Sequence, residues 1–253
     1  MLENSTQRFT DRVTNYIKYR PDYPAQVMEY LRKEAELPVG ASIADIGSGT
    51  GIFTKQILDA GYTVFAVEPN EPMRAAADNA LSHYSNYISV DGSSSLTTLK
   101  DHAVDLIVCA QAFHWFNHAE TKKEFQRILT ANGEVALIWN KRIVDADDFS
   151  KAYDQLLQQN GTDYNEVNQQ YLNPEDFTAF FHDGKYEQAN FPNLQLFDEE
   201  GLIGRAGSSS YVPALDTPEG KAFLTKLKEI FAHYQQNGKV SFQYHTEVYL
   251  GKV

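Results

Sequence analysis

Short apolar runs separated by helical patterns organise the first half of the chain. Ile43–Ile46, Tyr62–Val67, Tyr87–Val90, Val104–Ala110 and Glu134–Asn140 are rich in β-branched and aliphatic residues, which predicts strands. Val104–Ala110 carries apolar residues on both faces, as a strand buried on both sides requires. Between these runs apolar positions recur every three or four residues. One helix opens at Pro24 with Val27, Tyr30, Leu31 and Ala35 on one face. A second covers Ile52–Ala60, with Phe53, Ile57 and Ala60 inward and Gly61 as its stop. A third is capped by Asn70, holds Pro72 in its first turn and runs to Leu81. A short helix is expected near Ser95–Leu99, and another from Asn117 through Leu129, followed by a turn at Ala131-Asn132-Gly133. Strands alternating with helices predict an α/β fold with a doubly wound, mostly parallel sheet.

The rhythm breaks at Ile143. Residues 145–185 are polar and aromatic, with helical stretches near 148–160 and 174–181, and read as a helical cap inserted into the fold. Gln188–Phe197 predicts a strand, Glu199–Gly207 a short helix, and Thr217–Gln236 a long helix with Phe223, Leu224, Leu227, Ile230 and Phe231 on one face. Val240–Leu250 alternates and predicts a last strand. The expectation is a single domain over 1–253. It comprises an N-terminal helical segment (1–38), a core (40–140), the cap (145–185) and C-terminal elements that complete the sheet (188–253).

The sharpest chemical signal is Asp45-Ile46-Gly47-Ser48-Gly49-Thr50-Gly51, followed one strand later by Glu68-Pro69-Asn70. A strand, a glycine-rich turn, a helix and an acid at the next strand tip build a nucleotide-cofactor cleft. A dinucleotide fingerprint would need a third glycine where Ile52 stands. A phosphate loop would need Lys-Ser or Lys-Thr after the glycines, and neither is there.

Asp45-Ile-Gly-Ser-Gly-Thr-Gly51 resembles the first motif of class I S-adenosylmethionine-dependent methyltransferases. Further segments match in order: Glu68-Pro69-Asn70, Asp91-Gly92-Ser93, Cys109-Ala-Gln-Ala-Phe-His-Trp-Phe116 and Leu129-Thr-Ala-Asn-Gly-Glu-Val-Ala-Leu137. Tyr16-Ile-Lys-Tyr-Arg-Pro-Asp-Tyr-Pro24 and Gly201-Leu-Ile-Gly-Arg…Ser-Ser-Ser-Tyr-Val-Pro213 extend the likeness to the trans-aconitate-methyltransferase-like group of small-molecule enzymes. The resemblance implies seven strands with an antiparallel last strand. It also implies S-adenosyl-L-methionine as cofactor, with S-adenosyl-L-homocysteine as product. Asp45, Gly47, Ser48, Gly49, Thr50 and Gly51 would lie along the amino-acid part of the cofactor, and Glu68, Pro69 and Met73 around the ribose. Asp91, Gly92 and Ser93 would meet the adenine, and Gln111, Ala112 and Phe113 would floor the methyl-transfer site.

On the acceptor side the expected residues are Tyr19, Arg20, His114, Trp115, Trp139, Arg142 and Tyr211. His114 is the candidate general base, since an imidazole titrates near neutrality. Arg142 is the candidate clamp for an acceptor carboxylate. Aromatic faces at Phe113 and Trp115 would favour a sulfonium cation, whereas Phe116 is expected to pack against the following helix. Two other readings stay open: a nicotinamide-dependent oxidoreductase, and a catalytically silent protein that binds S-adenosylmethionine.

Charge and composition narrow the partners. A formal net charge of −12 disfavours nucleic acid and anionic membranes. The Pro-Pro-aromatic run of base-amino methyltransferases is replaced by Gln111-Ala-Phe-His-Trp115. No His or Cys spacing suits a metal. The one cysteine, Cys109, falls inside a strand run and is expected to be buried. No apolar stretch approaches the ~20 residues of a membrane span, and the N-terminus lacks a basic, apolar leader. A cytoplasmic protein with a small-molecule substrate is the expectation, with oligomeric state left open.

Overall fold

A computed structural model of the chain describes residues 18–162, 164 and 174–253. The expectations placed on residues 1–17, Tyr16 among them, and on 163 and 165–173 lie outside the described residues.

Every expected strand forms. β1 (Ser42–Ile46), β2 (Thr63–Val67), β3 (Tyr87–Val90), β4 (Val104–Ala110), β5 (Leu129–Arg142), β6 (Glu187–Phe197) and β7 (Val240–Gly251) make one sheet in the order 3-2-1-4-5-7-6. β1 to β5 pair in parallel, and β7 runs antiparallel to both β5 and β6. The order reverses between β1 and β4. Such a switch point opens a crevice at the carboxyl ends of the strands, because the crossovers leave in opposite directions.

The helices are α1 (Ala25–Glu34), α2 (Ile52–Asp59), α3 (Glu71–Leu81), α4 (His118–Ile128), α5 (Asp148–Asn160), α6 (Pro174–Phe180), α7 (Glu199–Gly207) and α8 (Pro218–Tyr234). Leu106 and Val108 of β4 pack beneath α1 and α2, while Ile107 and Cys109 pack against α4 and α6. Both faces of β4 are therefore core, and burial holds the Cys109 thiol well above its ordinary range. A third core joins α5, α7 and α8 to Phe242 and Tyr244 of β7. Among the described residues no helix is long and apolar enough to cross a membrane.

The segment expected as one cap divides between two packing environments. Tyr153 and Leu157 of α5 join the third core, but Phe177 and Phe180 of α6 join the core under α4.

Four local expectations change. Ser95–Leu99 is not helical: Ser93 and Leu96 form a bridge, and Thr98 takes φ +63°. The buried Glu124 carboxylate accepts the Thr97 amide at 2.8 Å, which pulls the backbone away from a helical ladder. Ala131-Asn132-Gly133 is a bulge inside β5 rather than a turn before it, because the register jumps from Val104↔Leu129 to Leu106↔Glu134. Ala60 is exposed as the residue ending α2, and Thr54 is buried in its stead. Asn117 precedes α4 without a side-chain cap bond, whereas Asn70 accepts the Met73 amide at 3.0 Å as expected.

Candidate active site

The carboxyl ends of β1, β2 and β4 border a cavity of about 260 Å³. Asp45, Gly47, Ser48, Gly49, Thr50, Glu68, Pro69, Met73, Ser93, Gln111, Ala112 and Trp115 line it, as the sequence places them.

Two acids dominate this cleft. Asp45 is 1% exposed, and its Oδ2 accepts the Thr54 hydroxyl at 2.6 Å. Its Oδ1 has no hydrogen-bond partner among the described residues. Burial pushes the Asp45 carboxyl up to about 7, with the Thr54 hydroxyl opposing and the Glu68 charge adding. Glu68 is also buried; Oε2 accepts the Gly49 amide at 2.9 Å and Oε1 the Asn70 amide at 2.8 Å. Burial raises its pKa while these two amide bonds oppose the rise. Each carboxylate oxygen retains a second lone pair, so Glu68 shapes the loop and can still accept from a ligand.

The loop glycines have different duties. A Cβ on Gly47 would stand 2.7 Å from the Ala112 Cβ, so only a bare backbone fits between the tips of β1 and β4. Gly51 takes φ +83° and presses against Leu81 of α3. It ends the loop by packing and does not line the cleft, contrary to expectation. Gln111 is the non-glycine strain point: φ is +56°, held by its amide donating to the Ile138 carbonyl at 2.8 Å. Left-handed backbone at such a residue is sustained only by its surroundings, and here it turns the chain out of β4 at the cleft.

That turn reverses the expected roles of two aromatics. Phe113 is fully buried beneath the sheet, stacked on His118 at 4.3 Å and edge-on to Phe180 at 4.4 Å. Phe116, expected in the core, lines the cleft under Gly47. Asp91 also departs from expectation. It is an exposed carboxylate paired with Arg74 at 3.2 Å, and Ser93 and Ser94 take the cleft at this tip. Gly92 packs against the Thr97 carbonyl outside the lining.

The acceptor-side residues disperse. Trp115 lines the cleft, but Tyr19, Arg20, His114, Trp139, Arg142 and Tyr211 do not. Trp139 points into the core with Phe177 and Tyr249, since odd positions of β5 face α6. Its indole N–H reaches His114 Nδ1 at 3.5 Å. Burial pushes the His114 imidazole down to about 4. It is neutral at pH 7, and the indole favours the tautomer with its proton on Nε2, where it cannot accept one. Tyr19 packs on α7, so closely that a Cβ on Gly204 would lie 1.9 Å from its ring. Arg142 donates to Asp154 Oδ1 at 2.7 Å and to the Tyr164 hydroxyl at 2.9 Å.

Residues not anticipated in the lining are Tyr23, Ile52, Phe53, Asn70, Ser94 and Ala110, besides Phe116. Asn70 lies within the Glu68-Pro69-Asn70 segment and Ser94 directly follows Asp91-Gly92-Ser93, so both carried a local signal. Tyr23 meets Phe53 edge-on at 4.9 Å, a pairing of distant segments with no local signal. Among the described residues no cluster of metal-ligand type occurs.

The comparisons bear on this cleft. A family model described as a methyltransferase domain matches residues 44–137. An uncharacterized methyltransferase of Mycobacterium tuberculosis is 31% identical over 225 residues, covering 88% of this chain and 85% of the relative. One of Schizosaccharomyces pombe is 36% identical over 135 residues, or 53% of each chain. The match thus spans about half the length of that relative. A solved structure from Anaeromyxobacter dehalogenans superposes with TM-score 0.69 at 19% identity, covering 92% of this chain and 98% of that one. A SAM-dependent methyltransferase from Geobacter sulfurreducens, in complex with S-adenosyl-L-homocysteine, gives TM-score 0.53 at 17% identity over 96% of each chain. At such identities the likeness to solved structures is one of fold.

Proposed function

We infer the reaction from kinship: this chain belongs to the class I S-adenosylmethionine-dependent methyltransferases. We propose that it methylates a small-molecule acceptor, within or near the trans-aconitate-methyltransferase-like group. The observation that carries the reading is the pair of buried acids at adjacent strand tips, facing one cleft across the glycine loop.

The donor set fits the cofactor. The partnerless Asp45 Oδ1 would accept from an ammonium group, and Glu68 from ribose hydroxyls. A pyrophosphate at Asp45 would meet a carboxylate instead. Ser93 and Ser94 supply hydroxyls toward the base, and Trp115 and Phe116 supply aromatic faces that favour a cation. S-adenosylmethionine, when bound, supplies a sulfonium methyl that a nucleophile takes in line while the C–S electron pair returns to sulfur.

The chain's own work is to hold two reactants in register and exclude water, which can supply roughly 7–11 kcal/mol of a barrier. The glycine loop lets the backbone close on one reactant, and Gln111 fixes the floor through its bond to the Asn140 carbonyl at 3.2 Å. No role as general base is assigned to His114, since burial makes it a weak base and its Nδ1 already accepts the Trp139 indole. A carboxylate acceptor would need no base, and Arg142, whose Nη1 has no hydrogen-bond partner among the described residues, is its candidate clamp. The helices of 145–185 would restrict the acceptor's approach.

Titration calorimetry with S-adenosylhomocysteine, NADH and NADPH tests the reading. Binding of the first alone is expected, followed by methyl transfer in a screen of acids, amines and phenols. Binding of a nicotinamide nucleotide alone would overturn it.

A further inference from the structure

The third core holds a cation that no carboxylate pairs with among the described residues. Arg205 of α7 is 7% exposed, and among the described residues its guanidinium hydrogen-bonds to neutral hydroxyls. It donates to Ser209 Oγ at 3.0 Å and reaches Ser208 Oγ at 3.5 Å. It hydrogen-bonds Tyr244 and lies within electrostatic reach of Tyr153 and Tyr211, and no carboxylate pairs with it among the described residues. Its Nε has no hydrogen-bond partner among the described residues.

Arg142 shares two of these phenols, Tyr153 and Tyr211, and its guanidinium lies 5.1 Å from the Tyr153 ring centre. Among the described residues its one carboxylate, Asp154, is shared with Tyr164, and its Nη1 also has no partner. Among the described residues, Asp154 beside Arg142 is thus the one carboxylate paired with either guanidinium. A guanidinium stays protonated at any working pH, and a desolvated charge is retained only where something repays its burial.

Tyr211 reports the resulting field. Burial alone would push its phenol up, but Arg205, Arg20, Ser209 and Arg142 together outweigh it, and the net shift is downward.

The cluster adjoins the cofactor cleft along two paths. Arg20 donates to the Ser208 carbonyl at 2.9 Å, and Tyr23, three residues on, lines the cleft. Chain geometry limits those three residues to about 11 Å. On the sheet side, Gln111 of the cleft bonds the Asn140 carbonyl, two residues before Arg142 on β5. A small molecule reaching from the cleft would bring one end to these guanidiniums.

We propose that Arg205, with Arg142 and Tyr211, seats an oxyanion of the acceptor, a carboxylate or a phosphate monoester. Planar guanidinium forks and a phenol hydroxyl suit both groups. The inference rests on the methyltransferase reading for the identity of the ligand as acceptor. The seat itself rests on Arg205, which lies outside every motif that pointed to the cofactor.

The test uses the full chain saturated with S-adenosylhomocysteine, at ionic strength held constant with sodium chloride. Succinate, methyl phosphate and uncharged succinamide are titrated by calorimetry, with thermal unfolding as a second readout. One of the two anions is expected to bind and raise Tm, and which one binds tells carboxylate from phosphate. Succinamide is expected to do neither. Arg205→Met should weaken anion binding by about tenfold or more, the loss of one or two charge-assisted bonds. Its affinity for S-adenosylhomocysteine should be unchanged. Tyr211→Phe should weaken the anion about threefold, and it serves where Arg205→Met does not fold.

Binding of neither anion to a chain that does bind S-adenosylhomocysteine would overturn the seat. So would equal binding of succinamide, or undiminished anion binding in both variants. If the unaltered chain fails to bind S-adenosylhomocysteine, the reaction reading falls; the same anion titration without it still decides the seat.

Discussion

Glu68 Oε2 accepts the Gly49 amide at 2.9 Å, tying the tip of β2 to the glycine loop after β1. The bond places a buried negative charge against the backbone that must approach a ligand most closely. Its partner oxygen holds the Asn70 amide at the start of α3, so one side chain sets the loop and the helix together.

Replacing that carboxylate by an amide leaves the shape but turns one acceptor into a donor. Glu68→Gln must then face a backbone N–H with an NH₂ group, at a cost of about 1–3 kcal/mol. S-adenosylhomocysteine affinity should fall about 10–100-fold while the circular dichroism of the folded chain is kept. Unchanged affinity by calorimetry would sink the assignment of Glu68 to the cofactor.

Asp45 couples the fold to pH. Its folded-state pKa of about 7 stands above the ordinary 3.8, so the folded chain keeps a proton that the unfolded chain loses. Stability is therefore full below about pH 4 and declines toward about pH 7, on the order of 4 kcal/mol from this one group. Asp45→Asn should flatten that part of the stability curve in urea titrations at pH 5 and 7. An identical slope in the variant would show that another group is responsible.

His114 should not titrate near neutrality. Burial holds it down to about 4, so the ring is uncharged throughout the working range. NMR of its Cε1 proton, assigned against His114→Gln, should be flat from about pH 5.5 to about pH 8. A midpoint near the ordinary histidine value would return His114 to candidacy as a base.

Phe113 and Phe116 should fail differently. Phe113→Ala removes a fully buried ring and should cost about 3–5 kcal/mol of stability. Phe116→Ala opens the cleft wall, so its larger effect should be on S-adenosylhomocysteine affinity. Thermal unfolding and calorimetry on both variants separate the roles; the opposite pairing of effects would restore the sequence-based assignment.

Gly204 is a packing requirement of Tyr19. Gly204→Ala places a methyl 1.9 Å from the ring position and should destabilise by about 1–3 kcal/mol. Tyr19→Ala should relieve most of that added cost, a coupling that a double-mutant cycle measures. Additive losses would mean that the ring simply moves aside.

Strand and helix positions were legible because their signals are local. β4 alternates between two cores every second residue, and Asn70 caps α3 through a bond only three residues long. The glycine loop and Glu68 were legible for the same reason, since tight turns and strand tips restrict residue type within a few positions. Side-chain destinations were not. Whether Phe113 or Phe116 enters the cleft depends on the left-handed turn at Gln111, which a backbone bond to β5 sustains. Tyr23 rather than Tyr19 reaches the cleft because α7 offers Tyr19 a glycine to pack on.

The sequence by itself determined the strands, most of the helices and the acids Asp45 and Glu68 of the cofactor cleft, through periodicity and capping that span a few residues. Only the tertiary structure decided that Asp91 stays on the surface with Arg74, and that Arg142 and Arg205 are both buried beside Tyr153 and Tyr211. Those outcomes arise where chain segments far apart in sequence compete for the same space and the same charge, and no short window of residues carries that information.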